Sequence, residues 1–255
     1  ADVCPLIPVS NITIEETNAY ALELARKVGE ELSIPVYCYE YSAKADYRRK
    51  LEQIRHGQYE SLKTKINVPG WEPDFGPKTF NSQTGAAIIG ARNVLIAYNI
   101  NLETKSVEIA KKIAEEIRES GKYVNDTFTG EIRKVPGLLK NVKAIGWYIS
   151  DFDKVQVSMN LTNFNETPLH TVFETVSDKA STYKTTVTGS ELIGLIPSAA
   201  LINAGLHFAN KRGMNDLTDK NKLIDLAVSC LNLNEIKPFD AKNNIIEVAA
   251  AIGVD

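Results

Sequence analysis

An α/β (α+β) fold class follows from three features of the sequence. Short runs with a two-residue apolar period alternate with segments of helical period. They lie on both sides of a glycine-rich polar stretch at residues 71–102, and the elements of the second half run in the order βαββαβ, a ferredoxin-like pattern. With 255 residues, 44% of them hydrophobic, the chain can bury one large core or two modest ones.

The first residues, ADVCPLIPVS, read as a buried strand that begins almost at the start of the chain. Thr13 and Glu16 have capping-box spacing, and Ala21, Leu24, Ala25, Val28 and Leu32 recur at the helical period, so a helix is predicted over 14–32. Pro35 leads into VYCYEY, a strand with Tyr37, Tyr39 and Tyr41 on one face. That face suits stacking on an aromatic ligand, or packing on a helix with the hydroxyls reaching water. A second helix over 42–55 turns Tyr47, Leu51 and Ile54 inward and ends at Gly57. Its outer side, with Lys44, Arg48, Arg49, Lys50 and Arg55, is either a solvated basic face or a receptor for carboxylates.

Residues 71–102, WEPDFGPKTFNSQTGAAIIGARNVLIAYNINL, join the halves and read as a ligand loop. Gly76, Gly85 and Gly90 permit backbone angles closed to other residues and let a ligand lie near the main chain, while Pro73 and Pro77 stiffen the approach. Lys78, Thr79, Asn81, Ser82, Gln83 and Thr84 supply donors and acceptors without acidic charge.

The second half opens with a strand over 93–102. Val94, Ile96, Tyr98, Ile100 and Leu102 share one face, and Leu95, Ala97, Asn99 and Asn101 the other. A helix over 104–119 buries Val107, Ala110, Ile113, Ala114 and Ile117 and places Glu108 to pair with Lys112. Residues 122–141 lack a strong period and read as a flexible insertion. Strands over 143–149 and 155–164, a helix over 168–184 and a strand over 185–190 complete the pattern. In the 155–164 strand Val157, Met159 and Leu161 face the core, opposed by Gln156, Ser158, Asn160 and Thr162. These outer faces carry hydrogen-bonding groups and no charge, which suits either a covered polar cavity wall or a neutral face partly open to solvent. Helices over 197–211 and 219–231 follow, and NNIIEVAAAI closes the chain as a short strand.

The formal charge of -3 gives no bulk attraction to nucleic acid, and no apolar run approaches bilayer length, so neither partner is expected. No basic, apolar leader is expected ahead of Ala1. Cys4, Cys38 and Cys230 form an odd set without a CxxC pair, which points to a reducing, cytoplasmic setting. His56, His170 and His207 make neither HxH nor HExxH, so no metal site is expected; GxSxG, GxxxxGK[ST] and strand-linked GxGxxG motifs are absent. His56 stands where it can meet the last carbonyls of a helix, and His207 sits among apolar helical residues. His170, at a helix start beside the polar strand, suits ligand contact or a helix-terminal structural role.

The motifs DVCPLIPV (2–9), DFGP (74–77), TGAAIIGARNVLIAYNINL (84–102), AIGWY (144–148), PLHTVFE (168–174) and GSELIGLIP (189–197) cover nearly the whole chain. In this order and spacing they resemble the glutamate formimidoyltransferase (formiminotransferase) family. The resemblance implies an incomplete amino-terminal subdomain at 1–91 and a carboxy-terminal subdomain at 92–255. Their mixed sheets are expected to face each other across a folate tunnel, with helices outside. It implies transfer of a formimidoyl group from N-formimidoyl-L-glutamate to N5 of tetrahydrofolate, in histidine degradation, with tetrahydrofolate as co-substrate and no metal.

The substrate contacts expected are Gly76, Pro77, Lys78, Thr79, Phe80, Asn81, Ser82, Gln83, Thr84, Gly85, Asn99, Asn101, Asn160 and His170. The family's proton-transferring histidine belongs to a segment upstream of Ala1, so no catalytic residue is assigned here. A cytoplasmic homodimer is expected, and the chain resembles the monofunctional form of the family, without a cyclodeaminase. A related folate-dependent formyltransferase and a non-catalytic folate-binding protein are the alternatives. A chain that starts within a core strand exposes partner edges, so low stability or aggregation is expected of the 255-residue product; a cooperative thermal melt of a soluble species contradicts this.

Overall fold

The computed structural model describes residues 3–126 and 130–252. The chain forms two compact units, Ala1–Val94 and Leu95–Asp255.

The first unit contains β1 (Val3–Leu6), α1 (Ile14–Glu31), β2 (Val36–Cys38), α2 (Leu51–Ile54), α3 (Gln58–Lys65) and β3 (Ala87–Ala91). The strands form a parallel sheet in the order β1-β3-β2. Parallel neighbours require a crossover, and the segment holding α2 and α3 supplies it between β2 and β3, while α1 links the two outer strands β1 and β2. Its capping box forms as expected: the Thr13 hydroxyl accepts from Glu16 N at 3.1 Å and the Glu16 carboxylate from Thr13 N at 2.8 Å. Such a cap contributes roughly 1 kcal/mol. Ala21, Ala25 and Gly29 line the buried stripe of α1, whereas Leu32 falls at the C-cap and is exposed.

Several expectations for this unit are corrected. The opening strand is a half-buried edge strand rather than an interior one. The stretch AAIIGA does not belong to the loop: β3, fully buried, is the central strand of the sheet. The tyrosine strand stops at Cys38, so Tyr37 and Tyr39 are buried beside Ile54 and Ile88 while Tyr41 is exposed. The Tyr37 hydroxyl donates to Trp71 O at 2.8 Å instead of reaching water.

The helix expected over 42–55 is broken into two 3-10 turns, Glu40–Ser42 and Asp46–Arg48, and the single turn of α2. Arg48, placed on the outer face by the helical period, is buried. Its guanidinium bonds the Asp74 carboxylate, Glu72 O at 2.9 Å and Gly70 O at 3.2 Å. The pair is internal scaffolding, and removing one partner would strand a buried charge at a cost of about 3–5 kcal/mol. Tyr47 is exposed, not inward.

The second unit contains β4 (Ile96–Leu102), α4 (Val107–Ile117), β5 (Lys122–Asn125), β6 (Ile132–Val135), β7 (Val142–Ile149), β8 (Lys154–Leu161), α5 (Leu169–Thr182), β9 (Val187–Ile193), α6 (Ser198–Lys211), α7 (Lys220–Cys230), α8 (Ala241–Asn244) and α9 (Ile246–Ala249). Its main sheet is antiparallel in the order β7-β8-β4-β9. That is the strand order of the ferredoxin-like pattern, with α4 and α5 as the crossovers. Ile96, Tyr98, Ile100 and Leu102 enter one core with Val155, Val157, Met159 and Leu161 of β8. Ala110, Ile113, Ala114 and Ile117 of α4 and Leu169, Val172 and Val176 of α5 cover that core.

The insertion at 122–141 holds the hairpin β5–β6, paired from Lys122 opposite Val135 to Asn125 opposite Ile132; residues 127–129 of it lie outside the described residues. Glu108 pairs with Lys111, one residue short of the expected Lys112. Glu116 ties α4 to its neighbours by accepting from Tyr183, Lys122 and Lys179. Burial acts against ionisation of Glu116, but these donors outweigh it and bring its carboxyl down to about 2. The chain end, expected as a strand, forms α8 and α9; it joins the unit through the bridge between Ile196 and Ile245, through the Glu247 carboxylate, which accepts from Ser198 N at 2.9 Å, and through the buried Ile245.

Gly146 fixes how closely α4 approaches β7, because a Cβ at this position would lie 2.2 Å from Lys111 N and 2.3 Å from Ala110 C, both backbone atoms. Gly146→Ala is expected to destabilise the protein by roughly 2 kcal/mol, read as a lower urea midpoint; an unchanged midpoint contradicts this packing.

Candidate functional site

Alternation along β4 separates its side chains. With the residues at even numbers buried against the helices, Ala97, Asn99 and Asn101 point to the opposite face of the sheet. The register assembles that face row by row. Asn101 lies opposite Gln156, which lies opposite Trp147; Asn99 is beside Ser158 and then Ile145; Ala97 is beside Asn160 and then Lys143. On the other flank β9 adds Gly189, Glu191 and Ile193.

One end of this face is closed. Asn101 and Gln156 have no exposed surface, and Gln156 Nε2 donates to Asn101 Oδ1 at 2.7 Å. Asn101 Nδ2 donates to Glu235 Oε2 at 2.5 Å, and Lys154 Nζ to Glu235 Oε1 at 2.7 Å. Although burial alone would raise it, the hydrogen bonds from Lys154 and Asn101 hold the Glu235 carboxyl below the usual carboxylate range. The face is therefore not uncharged, as the strand patterns suggest: Lys154 and Glu235 close this end, and Glu191 accepts from Asn99 Nδ2 at 3.5 Å.

The other part of the face is open and apolar. Ile145, in the row of Asn99, is 57% exposed, and Ile193 and Trp147, in the rows on either side, are 50% and 39% exposed, while Asn99 itself is only 3% exposed. Apolar surfaces around a small hydrogen-bonding centre suit a flat, amphipathic heterocycle. Asn160 is exposed on the same face, one row from Asn99.

His170 is not brought to this face. It belongs to α5, which packs on the apolar side of the sheet, and its ring stacks on His207 of α6 with centroids 4.1 Å apart and an interplanar angle of 11°. His207 Nε2 lies 3.1 Å from Glu174 Oε1, an oxygen that also accepts from Lys211 at 2.8 Å. Burial, with the His207 ring second and Glu174 opposing, lowers the pKa of His170 to about 4.

The loop expected to hold ligand lies in the first unit. Gly76 has φ 78°, and a Cβ there would meet Ile34 O at 2.3 Å and Gly29 Cα of α1 at 3.0 Å, so the chain passes close to the end of α1 at this point. Asn81 Oδ1 accepts from Gln83 N at 2.9 Å and Thr84 N at 3.2 Å, and Gly85 N donates to Asn81 O at 2.8 Å. Tyr59 of α3 holds the loop from behind, donating to Ser82 O at 2.7 Å with its ring 5.5 Å from that of Phe80. Asn81 is thereby committed to the loop's own shape, Pro77 and Phe80 are partly buried, and Lys78, Thr79, Ser82, Gln83 and Thr84 remain exposed.

A cleft of about 720 Å³ in the same unit is lined by Tyr47, His56, Lys65 and Trp71 among others. The contact with helix-end carbonyls expected of His56 is made by Lys65, whose Nζ donates to Gln53 O and Ile54 O at 3.0 and 2.6 Å.

Sequence reasoning did not single out Trp147, Ile145, Ile193, Lys154, Glu191 or Glu235. Lys143, Ile145 and Trp147 alternate within β7, a signal that was available; Glu235 gave none, because it reaches the site from a loop. Among the described residues no group of three His, Cys, Asp or Glu side chains is placed to hold a metal ion, and no helix is long and apolar enough to cross a membrane.

Comparison with known proteins gives the same ordering of the chain. The profile described as the Formiminotransferase domain, N-terminal subdomain, matches residues 1–92, and that of the Formiminotransferase domain matches residues 97–251. The chain is 42% identical to Formimidoyltransferase-cyclodeaminase of Gallus gallus over 99% of its own length and 44% of that protein's. It is 40% identical to the protein of that name from Dictyostelium discoideum, over 96% of this chain and 44% of the other. The chain thus spans about half the length of these curated relatives. With Glutamate formimidoyltransferase of Thermoplasma acidophilum it shares 39% identity over 85% of this chain and 67% of that one.

The depressed pKa of His170 sets a pH dependence. The unfolded chain takes up a proton near the ordinary histidine value of about 6.5, which the folded chain resists until about pH 4. The neutral, half-buried ring therefore contributes stability that is present above about pH 6.5 and lost as pH falls toward 4. His170→Phe is expected to flatten the fall in urea midpoint across this window; an unaltered slope contradicts the assignment.

Proposed function

This chain belongs to the formiminotransferase family, and on that premise we propose that it transfers the formimidoyl group of N-formimidoyl-L-glutamate to N5 of tetrahydrofolate, releasing L-glutamate. The observation that carries the reading is the similarity over most of both chains to a protein named glutamate formimidoyltransferase. The half-open sheet face of the second unit supports it.

In the reaction the N5 lone pair adds to the amidine carbon to give a tetrahedral adduct. The bond from that carbon to the glutamate nitrogen then breaks; N5 loses its proton, and the departing amine gains one. Such a transfer is promoted by holding two substrates in register and by managing those protons. In this reading the pterin lies on the open face, where Trp147, Ile145 and Ile193 cover its apolar surface and Asn99, with Asn160 one row away, meets its polar edge. Asn101 acts from beneath, through its buried hydrogen bonds.

The exposed loop residues Lys78, Thr79, Ser82, Gln83 and Thr84 are assigned to the second substrate, with Lys78 as the cation for a carboxylate. His170, stacked on His207 among the helices, receives no substrate contact. The same reading makes the protein a cytoplasmic homodimer acting in histidine degradation, with subdomains divided near residues 91 and 92; its three unpaired cysteines suit a reducing compartment.

The test is release of glutamate by the full-length protein, with tetrahydrofolate as acceptor and either formimidoylglutamate or formylglutamate as donor. Turnover with the formimidoyl donor is expected, and turnover with the formyl donor alone, or with neither, contradicts the proposal. Asn99→Leu is expected to raise the KM for tetrahydrofolate about tenfold, roughly 1.4 kcal/mol of lost binding, with kcat little changed.

A further inference from the structure

Glu235 is joined to Trp147 by two buried carboxamides. The connections run from Trp147 Nε1 to Gln156 Oε1 at 3.1 Å, from Gln156 Nε2 to Asn101 Oδ1 at 2.7 Å, and from Asn101 Nδ2 to Glu235 Oε2 at 2.5 Å. A carboxamide can face either way, so nothing within Gln156 or Asn101 chooses the direction of these bonds. The two ends do. An ionised carboxylate only accepts, which obliges Asn101 to present its NH2 to Glu235 and its oxygen to Gln156. An indole N–H only donates, which obliges Gln156 to present its oxygen to Trp147.

We propose that Glu235 is a positioning residue: acting through Asn101 and Gln156, it locks the indole of Trp147 in the orientation that makes it a stacking surface for the planar ring of the acceptor substrate. The placement of that ring rests on the function proposed above. The lock does not depend on it.

Two further observations support a site built around this carboxylate. Lys154 Nζ donates to its second oxygen at 2.7 Å, so both oxygens have fixed partners. In addition, β9 has glycine where a side chain would intrude: a Cβ on Gly189 would lie 2.4 Å from Glu235 Oε2. Gly189 is also the residue opposite Asn101 in the sheet. With Asn101 and Gln156 fully buried, a flip of either amide would set like groups against each other with no water to relieve them.

The experiment uses the full-length protein, labelled with 15N at tryptophan. It has two indole N–H signals, from Trp71 and Trp147, distinguished by Trp71→Phe. Glu235→Leu removes the acceptor; Trp147 indole exchange is expected to accelerate about tenfold or more while Trp71 stays unchanged, as expected for loss of a buried hydrogen bond. Glu235→Gln keeps an acceptor oxygen and is expected to restore slow exchange. The KM for tetrahydrofolate should rise about fivefold in Glu235→Leu with kcat within about twofold, a split that marks lost substrate binding.

Gly189→Ala, which displaces the carboxylate without altering its chemistry, should reproduce the effect and serves if Glu235→Leu does not fold. Unchanged Trp147 exchange in whichever of these variants is folded overturns the proposal. Accelerated exchange with an unmoved KM upholds the lock and instead overturns the placement of folate on this face.

Discussion

The period of two along β4 is the constraint from which the second unit is built. Every even-numbered residue from Ile96 to Leu102 is apolar and buried against helices, and the intervening Ala97, Asn99 and Asn101 are thereby turned to the other face. A shift of one residue in register would bury two asparagines among leucines and isoleucines and expose a tyrosine and two isoleucines, so the pairing has little freedom. The same strand that anchors the core therefore fixes where the hydrogen-bonding groups stand. Because β4 is an inner strand, with β8 on one side and β9 on the other, polar residues from both neighbours gather around it.

That face is graded rather than uniform. At the Asn101 end the buried amides satisfy one another and end on Glu235, itself held by Lys154. Burying such groups is tolerable only because each has a partner. Around Asn99 the face is exposed, its apolar surface contributed by Ile145 and Ile193 and, from the row of Asn101, by Trp147. A closed polar network beside an open apolar floor gives rigidity where orientation is set and access where a ligand arrives, the combination that a preorganised binding site requires.

Much of the second unit was legible because its signals are local. The two faces of β4, the buried stripe of α4 and the βαββαβ order follow from periodicity alone. The first unit was less legible. AAIIGA is too short to have a period and follows a run of glycine and polar residues, so it reads as part of a loop although it forms β3, the centre of the sheet. The helical spacing of residues 42–55 is overridden by tertiary bonds of the buried Arg48, to Gly70 O, Glu72 O and the Asp74 carboxylate 26 residues away. The β5–β6 hairpin and the closing helices likewise had weak local signals. That Asn99, Asn101 and Asn160 share one sheet face follows from strand alternation, whereas Glu235 lies 134 residues from its partner Asn101 and only the folded chain joins them. His170 was misplaced because proximity to a polar strand in sequence does not say which side of the sheet a helix covers.

The central claim is that the folate ring rests on the exposed apolar floor of the second unit's sheet. Intermolecular NOEs between a bound, stable folate such as 5-formyltetrahydrofolate and the isotopically labelled methyl groups of Ile145 and Ile193 test it most directly. The account predicts contacts from ring protons to both methyl sets, lost together when unlabelled folate is added in excess. Contacts confined to methyl groups elsewhere in the chain, with saturable binding intact, would contradict it.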